Sequence, residues 1–243
     1  MVRYVRRLAI VLGVASIAAV LLAPSASARE FEVKVRNLTD GQPLTPPVAA
    51  THKGKKGFFE VGQQATVGVR EIAENGNAAP LLAYLEADPF NRVARFAALD
   101  EPLVPAGTPG AAMFGDRVTF TIRAPKRAKR LSWVSMLICT NDGFTGVSGL
   151  KLPRKVGDRS SKRTNAYDAR TEVNTEDYAD IVPPCQGLIG HTSADEGTGV
   201  SNPELAQGGV IARHKGISGG VDLQSAIHDW EDPVARIGVE RVN

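Results

Sequence analysis

The chain has little of what zinc enzymes, EF-hand proteins and membrane spans are built from. Its four histidines, His52, His191, His214 and His228, include no i, i+4 pair and no H-E-x-x-H, so the usual helical zinc site is excluded. No EF-hand loop pattern occurs. The one long apolar run, residues 8–22, falls short of the roughly 20 residues that a helix needs to cross a bilayer. No internal repeat and no sharp change of composition divides the chain, which favours a single unit.

An excess of one charge is also missing once the first 28 residues are set aside. Arg3, Arg6 and Arg7 precede the apolar run, Pro24 and Ser25 break it, and Ala26-Ser27-Ala28 offers small residues for cleavage. This is the pattern of a secretory signal peptide, so Arg29 is the expected mature start and a secreted, extracellular or periplasmic location follows. Of 29 Lys and Arg, three lie in this leader, which leaves 26 against 26 Asp and Glu. A neutral mature chain gives no general attraction to nucleic acid or anionic lipid. Membrane contact is therefore unsupported by net charge.

About 215 mature residues suffice for a large core without staples. Only two cysteines, Cys139 and Cys185, are present. In an exported protein they can form one disulfide. The alternative is a buried free thiol at Cys139, with Cys185 exposed beside Pro183 and Pro184.

What is there reads as mainly β. Phe31, Val33 and Val35 alternate with Glu32, Lys34 and Arg36, and Val118, Phe120 and Ile122 alternate with Thr119, Thr121 and Arg123, the period-2 pattern of strands with one buried face. Ala235, Ile237 and Val239 suggest a closing strand. Residues 131–139 are apolar on both faces apart from Ser132 and Ser135, as expected of a central strand, with Trp133 in the core. Ala65, Val69, Ile72, Ala73, then Leu81, Leu82 and Leu85 recur at helical spacing around Asn75-Gly76-Asn77, so one or two short helices are expected near residues 63–87. Residues 177–209 are rich in Pro, Gly, Asp and Ser without periodicity and are read as long surface loops. The basic run 126–130 is read as a solvated hairpin turn, with a polyanion site as its sharper alternative.

The central apolar run empties into Thr140-Asn141-Asp142-Gly143-Phe144-Thr145-Gly146, read as a turn, and is answered by Tyr167-Asp168-Ala169-Arg170-Thr171-Glu172. Three carboxylates at strand ends can converge as oxygen ligands for a hard cation such as Ca²⁺. Without a cation they repel one another. They can instead cap loops or pair with Arg170 or Lys162.

The order of motifs resembles the spondin N-terminal domain family. The carrying residues are Val33-Lys34-Val35-Arg36-Asn37-Leu38-Thr39 with Gly41-Gln42-Pro43-Leu44, then Pro46-Pro47, Ala50-Thr51-His52, and Phe59-Glu60-Val61-Gly62. Met136, Thr140-Asn141-Asp142-Gly143-Phe144, Tyr167-Asp168-Ala169, Thr171-Glu172 and Pro233-Val234-Ala235-Arg236-Ile237 complete it. The resemblance implies a C2-like β-sandwich over residues 29–243 and a calcium ion held at Asp142, Asp168 and Glu172. Two departures bear on that ion: Glu172 stands where the family has Asp, and Arg170 stands where it has Gly. A positive φ is costly for Arg, and its cation would lie near the site.

The expected function is a non-enzymatic, calcium-binding module for adhesion or ligand binding, its partner an extracellular glycan, an envelope polymer or a protein. Phe144 and Tyr178 are candidate contact residues. One alternative is calcium-dependent, C2-like docking on anionic lipid. Another is a metal-dependent hydrolase with His191 or His214 as base. Gly216-Ile217-Ser218-Gly219-Gly220 fits G-x-S-x-G, but only 23 residues follow it, too few to complete a hydrolase fold, so it is read as a glycine turn. His52 is read as a surface or loop-anchoring residue, and Asn37-Leu38-Thr39 as a glycosylation sequon.

Overall fold

The structure, a computed structural model, describes residues 28–88 and 93–243. Most of the leader lies outside the described residues, and among those described no helix is long and apolar enough to cross a membrane. The fold is mainly β, as expected: two antiparallel sheets accompanied by four short helices. Strands β1 (Arg29–Asn37), β4 (Arg117–Ala124), β7 (Arg159–Thr164) and β10 (Ala235–Arg241) form the smaller sheet in the order β4-β1-β10-β7. The larger sheet uses β2 (Val48–His52), β3 (Val93–Ala98), β5 (Arg130–Met136), β6 (Gly143–Lys151), β8 (Ala166–Asp168) and β9 (Ala212–Arg213), ordered β3-β2-β5-β6-β8-β9.

Alternation in β1 and β10 has the anticipated cause. Phe31, Val33 and Val35 with Ile237 and Val239 face Leu131 and Trp133 of β5 in the core between the sheets. Val134 and Met136 of the same β5 face the other way, into a second core with Val69, Ile72, Leu81 and Leu85. A layer of helices and loops covers the outer face of the larger sheet, so its central strand is apolar on both sides. That layer contains α1 (Val67–Asn75), capped by Thr66 and ended by Gly76 at φ 64°, and α2 (Ala79–Ala87). Glycine suits the left-handed stop that closes α1.

Several local expectations are corrected. The segment 126–130 is no hairpin, because β4 and β5 belong to different sheets. It carries the chain from one sheet to the other and buries Ala128 on the way. Residues 177–209 are not only surface loop: α3 (Pro184–Ile189) buries Cys185, Leu188 and Ile189. The remaining helix, α4 (Ser225–His228), buries His228. Of the two readings of His52, surface residue or loop anchor, the first is corrected: it is buried at the end of β2, with Nε2 2.8 Å from Ser132 Oγ, and it bonds the Gly54 main chain in the loop that follows. The sequon is buried too. Asn37 Nδ2 donates to the carbonyls of Gln42 and Leu103 at 2.7 and 2.9 Å, which leaves no amide hydrogen for a glycan.

Gly41 and Gln42 show why that turn tolerates little change. Gln42 is fully buried; its Nε2 donates to the carbonyls of Cys139 and His228, and its Oε1 accepts from the Cys139 amide. A Cβ on Gly41 would stand 1.7 Å from the Ile227 carbonyl oxygen. Gly41→Ala is therefore expected to destabilise the protein by about 2 kcal/mol or more, read as a lower denaturant midpoint in urea unfolding. A change below about 0.5 kcal/mol would show that α4 is not held against this turn.

Candidate functional site

Strand pairing brings the two acidic segments together. β6 and β8 run antiparallel with Gly143 opposite Asp168, so the turn before β6 and the segment after β8 share one end of the sheet. The turn is shorter than the sequence suggested, ending at Asp142 because Gly143 already opens β6. The Thr140 hydroxyl donates to the Leu137 carbonyl at 2.7 Å and accepts the Gly143 amide at 2.9 Å. Asn141 is spent on structure, since its amide group exchanges two hydrogen bonds of 3.1 Å with Thr175.

Asp142 is fully buried. Its Oδ2 accepts the Thr171 amide at 2.7 Å, the Thr171 hydroxyl at 3.2 Å and the Glu172 amide at 3.0 Å. Its Oδ1 has no hydrogen-bond partner. Burial pushes the Asp142 carboxyl up to about 6, and the neighbouring Asp168 charge adds to this, against the lowering effect of the Glu172 and Thr171 donors. Asp168 accepts the Arg170 amide at 2.7 Å through Oδ1 and the Asn174 side chain at 3.2 Å through Oδ2.

Glu172 is placed differently. Its main chain reaches Asp142, but its carboxylate accepts the Asn202 amide at 2.9 Å. Burial raises its carboxyl to about 7, with the charges of Glu74, Asp142 and Asp180 acting the same way and the Asn202 bond opposing. Asp142, Asp168 and Glu172 thus share one loop cluster without forming a ready triad. Among the described residues, the sets of three whose ligand atoms lie within 4.8 Å of one another are Asp177, Asp195, Asp222 and Cys139, Cys185, His228.

Arg170 takes φ 54°, so the backbone adopts the left-handed conformation despite the side chain. That conformation costs an L-residue roughly 1–2 kcal/mol. The Asp168 bond to its amide offsets part of that cost. Its side chain is exposed and makes no ion pair among the described residues. Arg170 therefore does not stand in for a cation between the carboxylates.

Cys139 and Cys185 are joined in a disulfide across 46 residues. The bond ties the turn after β5, three residues before Asp142, to α3. His228 lies beside the sulfurs, its Nε2 3.0 Å from the Tyr178 hydroxyl. Tyr178 and Phe144 are both buried, so neither is the contact residue that the sequence suggested. Ser218 in the G-x-S-x-G segment bonds to Glu176, through both hydroxyl and amide.

One further residue escaped the sequence reading, and another is placed differently from it. Glu176 accepts Ser218 and Gly219 and orders the glycine segment. His214, just after the strand β9 that pairs with β8 at Asp168, has a buried Nε2 without a partner while Nδ1 accepts the Gly216 amide. The sequence named His214 as a candidate base, and its burial beside the acidic loops follows only from the fold. His191 pairs with Tyr178 rather than with the three carboxylates.

A β-sandwich whose strand-end loops gather buried carboxylates is the kind of fold that fits an extracellular module. The chain belongs to the Spondin_N family, whose profile matches residues 40–174. The matched span contains Asp142, Asp168 and Glu172, and ends before Cys185 and the closing strand β10. Spondin N-terminal domains are typically found in extracellular proteins. No curated protein is matched by the chain.

Proposed function

We propose that the protein is a secreted, non-enzymatic spondin module in which a calcium ion orders the loops at the acidic end of the sandwich for contact with an extracellular or cell-envelope partner. The observation that carries this reading is Asp142 Oδ1: a fully buried carboxylate oxygen, beside a second carboxylate, with no donor. An unsatisfied buried acceptor of this kind is costly, and a hard cation with oxygen preference removes the cost. Asp142 and Asp168 would hold the ion. Glu172 fixes Asp142 through its amide, and its carboxylate would join only by exchanging Asn202.

Calcium supplies charge neutralisation; the chain supplies loop order. Thr171 and Glu172 hold Asp142 in place, and Asn141 locks the turn to Thr175. His191 bonds to Tyr178, and the Nδ1 of His214 is occupied by Gly216. This engagement of both candidate bases favours binding over hydrolysis. Secretion through the leader belongs to the same proposal.

The test is calorimetric titration of calcium into chelator-treated protein, with magnesium as control. Calcium-selective binding with Kd of about 10⁻⁴ to 10⁻³ M is expected, reduced beyond measurement in Asp142→Ala and at least tenfold in Asp168→Ala. Unchanged affinity in both variants would overturn the assignment.

A further inference from the structure

The opposite end of the sandwich is strongly basic. A basin of about 730 Å³ there is lined by ten residues, of which nine are Lys or Arg and the tenth is Leu152. They arrive from separate parts of the chain: Arg29 opens β1, Lys126 and Lys129 lie on the crossing to β5, Arg130 opens β5, Lys151 ends β6 and Arg241 ends β10. Strand register makes the polarity explicit. In the β5·β6 pair, Arg130 lies opposite Lys151 and Met136 opposite Phe144, beside Asp142. The length of β5 therefore separates the two ends by about 20 Å.

The chain beyond the leader has equal numbers of acidic and basic residues, so this clustering is segregation rather than a by-product of excess charge. Elsewhere on the surface several arginines are matched with acids, as in Arg36–Asp116, Arg123–Glu30 and Arg159–Glu240. In the basin no acid is among the lining residues. Leaving Lys53 aside, none of the basic ones forms an ion pair with an Asp or Glu side chain among the described residues. Two guanidinium groups are instead held by main-chain carbonyls: Arg29 by Pro125 and Ala128, and Arg130 by Gly149 at 2.6 Å. These bonds fix cations in place without neutralising them. Burial, and then the nearby Arg241 charge, weaken the hold of Arg29 on its proton.

We propose that this basin binds a linear anionic polysaccharide, one carrying sulfate, phosphate or carboxylate groups along its length. Fixed, uncompensated cations converging on a concave surface are complementary to a chain of anionic groups. No aromatic side chain lines the basin, so unstacked nucleobases find no platform. Its one apolar lining residue, Leu152, is buried, so nothing there inserts into a bilayer.

The experiment measures binding of a heparin dodecasaccharide, as a sulfated probe, in low salt and with chelator present, so that the result does not depend on the calcium site. Binding that weakens steadily with added salt is expected. Reversal of three exposed lysines, Lys126→Glu, Lys129→Glu and Lys151→Glu together, should weaken it tenfold or more. Reversal of Lys34, Lys162 and Lys215, which lie outside the basin and change net charge equally, should weaken it far less. Circular dichroism of both triple variants checks that they fold. The proposal fails if heparin does not bind in low salt, if both triple variants weaken binding alike, or if phosphatidylglycerol vesicles or single-stranded DNA bind more tightly than heparin.

Discussion

Without calcium, the protein is expected to lose stability as the pH rises from about 4 to about 6, and to regain it when calcium is added. Asp142 has an ordinary value of 3.8, raised in the folded state to about 6 by burial and by Asp168. The folded protein therefore holds this proton more tightly than the unfolded chain does. Stability from this group is complete below 3.8 and is lost as the pH rises through about 6; its full size is about 3 kcal/mol. Glu172 adds a loss of the same sign between 4.5 and about 7, caused mainly by its burial.

On the proposed reading, a calcium ion at Asp142 and Asp168 would replace the proton and cancel the first of these losses. At a calcium concentration about a hundredfold above Kd the added stability is about 2.7 kcal/mol. The calcium-dependent rise in melting temperature should accordingly be small near pH 4 and reach its full size above pH 6. Asp142→Asn separates the contributions. It should abolish the calcium response and the Asp142 part of the pH dependence while leaving most of the Glu172 part, which comes mainly from burial. Urea unfolding from pH 3.5 to 8, with chelator and with calcium, measures all three. A calcium response that survives in Asp142→Asn would move the cation elsewhere.

The second large effect concerns the disulfide. Cys139–Cys185 closes a loop of 46 residues, for which chain entropy predicts about 4 kcal/mol of stabilisation. In a chain of this size that corresponds to a melting temperature lower by about 8–16 °C in Cys139→Ala/Cys185→Ala. The loop contains β6, β7, β8 and the segment around Asp168 and Glu172, so the crosslink restricts the part of the chain that carries the carboxylates. A weaker calcium response is expected to accompany the lower melting temperature. Loss of less than about 1 kcal/mol would mean that the buried packing around both sulfurs, with Gln42 holding Cys139, already does the work of the bond.

Where the sequence was easy to read, one side of a strand met solvent. β1, β4 and β10 announced themselves by alternation because one face lies on the core. β5 was found by the opposite sign, apolarity on both faces, which the helix and loop layer explains. β2 is buried throughout and only five residues long, so it has no period to detect. β7 is a polar edge strand recognisable only through its pairing with β10. The hairpin expected at residues 126–130 failed for a related reason: a local charge cluster says that the chain is at the surface, not which sheet it enters next.

The same division holds for the candidate site. Its three carboxylates were legible as acids in turns flanking strand ends, and the order of motifs pointed to the spondin family. Composition and pattern alone determined a β-rich chain with two short helices, two cysteines and balanced charge, because these follow from residue types and near-neighbour spacing. Which groups meet is a matter of long-range register, and only the tertiary structure decided it. Antiparallel pairing of β6 with β8 brings Asp168 to Asp142, the turn toward Asn202 takes the Glu172 carboxylate away, and the strand ends gather basic residues from five separate segments into one basin. Charge that is neutral when counted along the chain becomes polar when folded, because antiparallel strands place alternate segment ends at opposite poles of the sandwich.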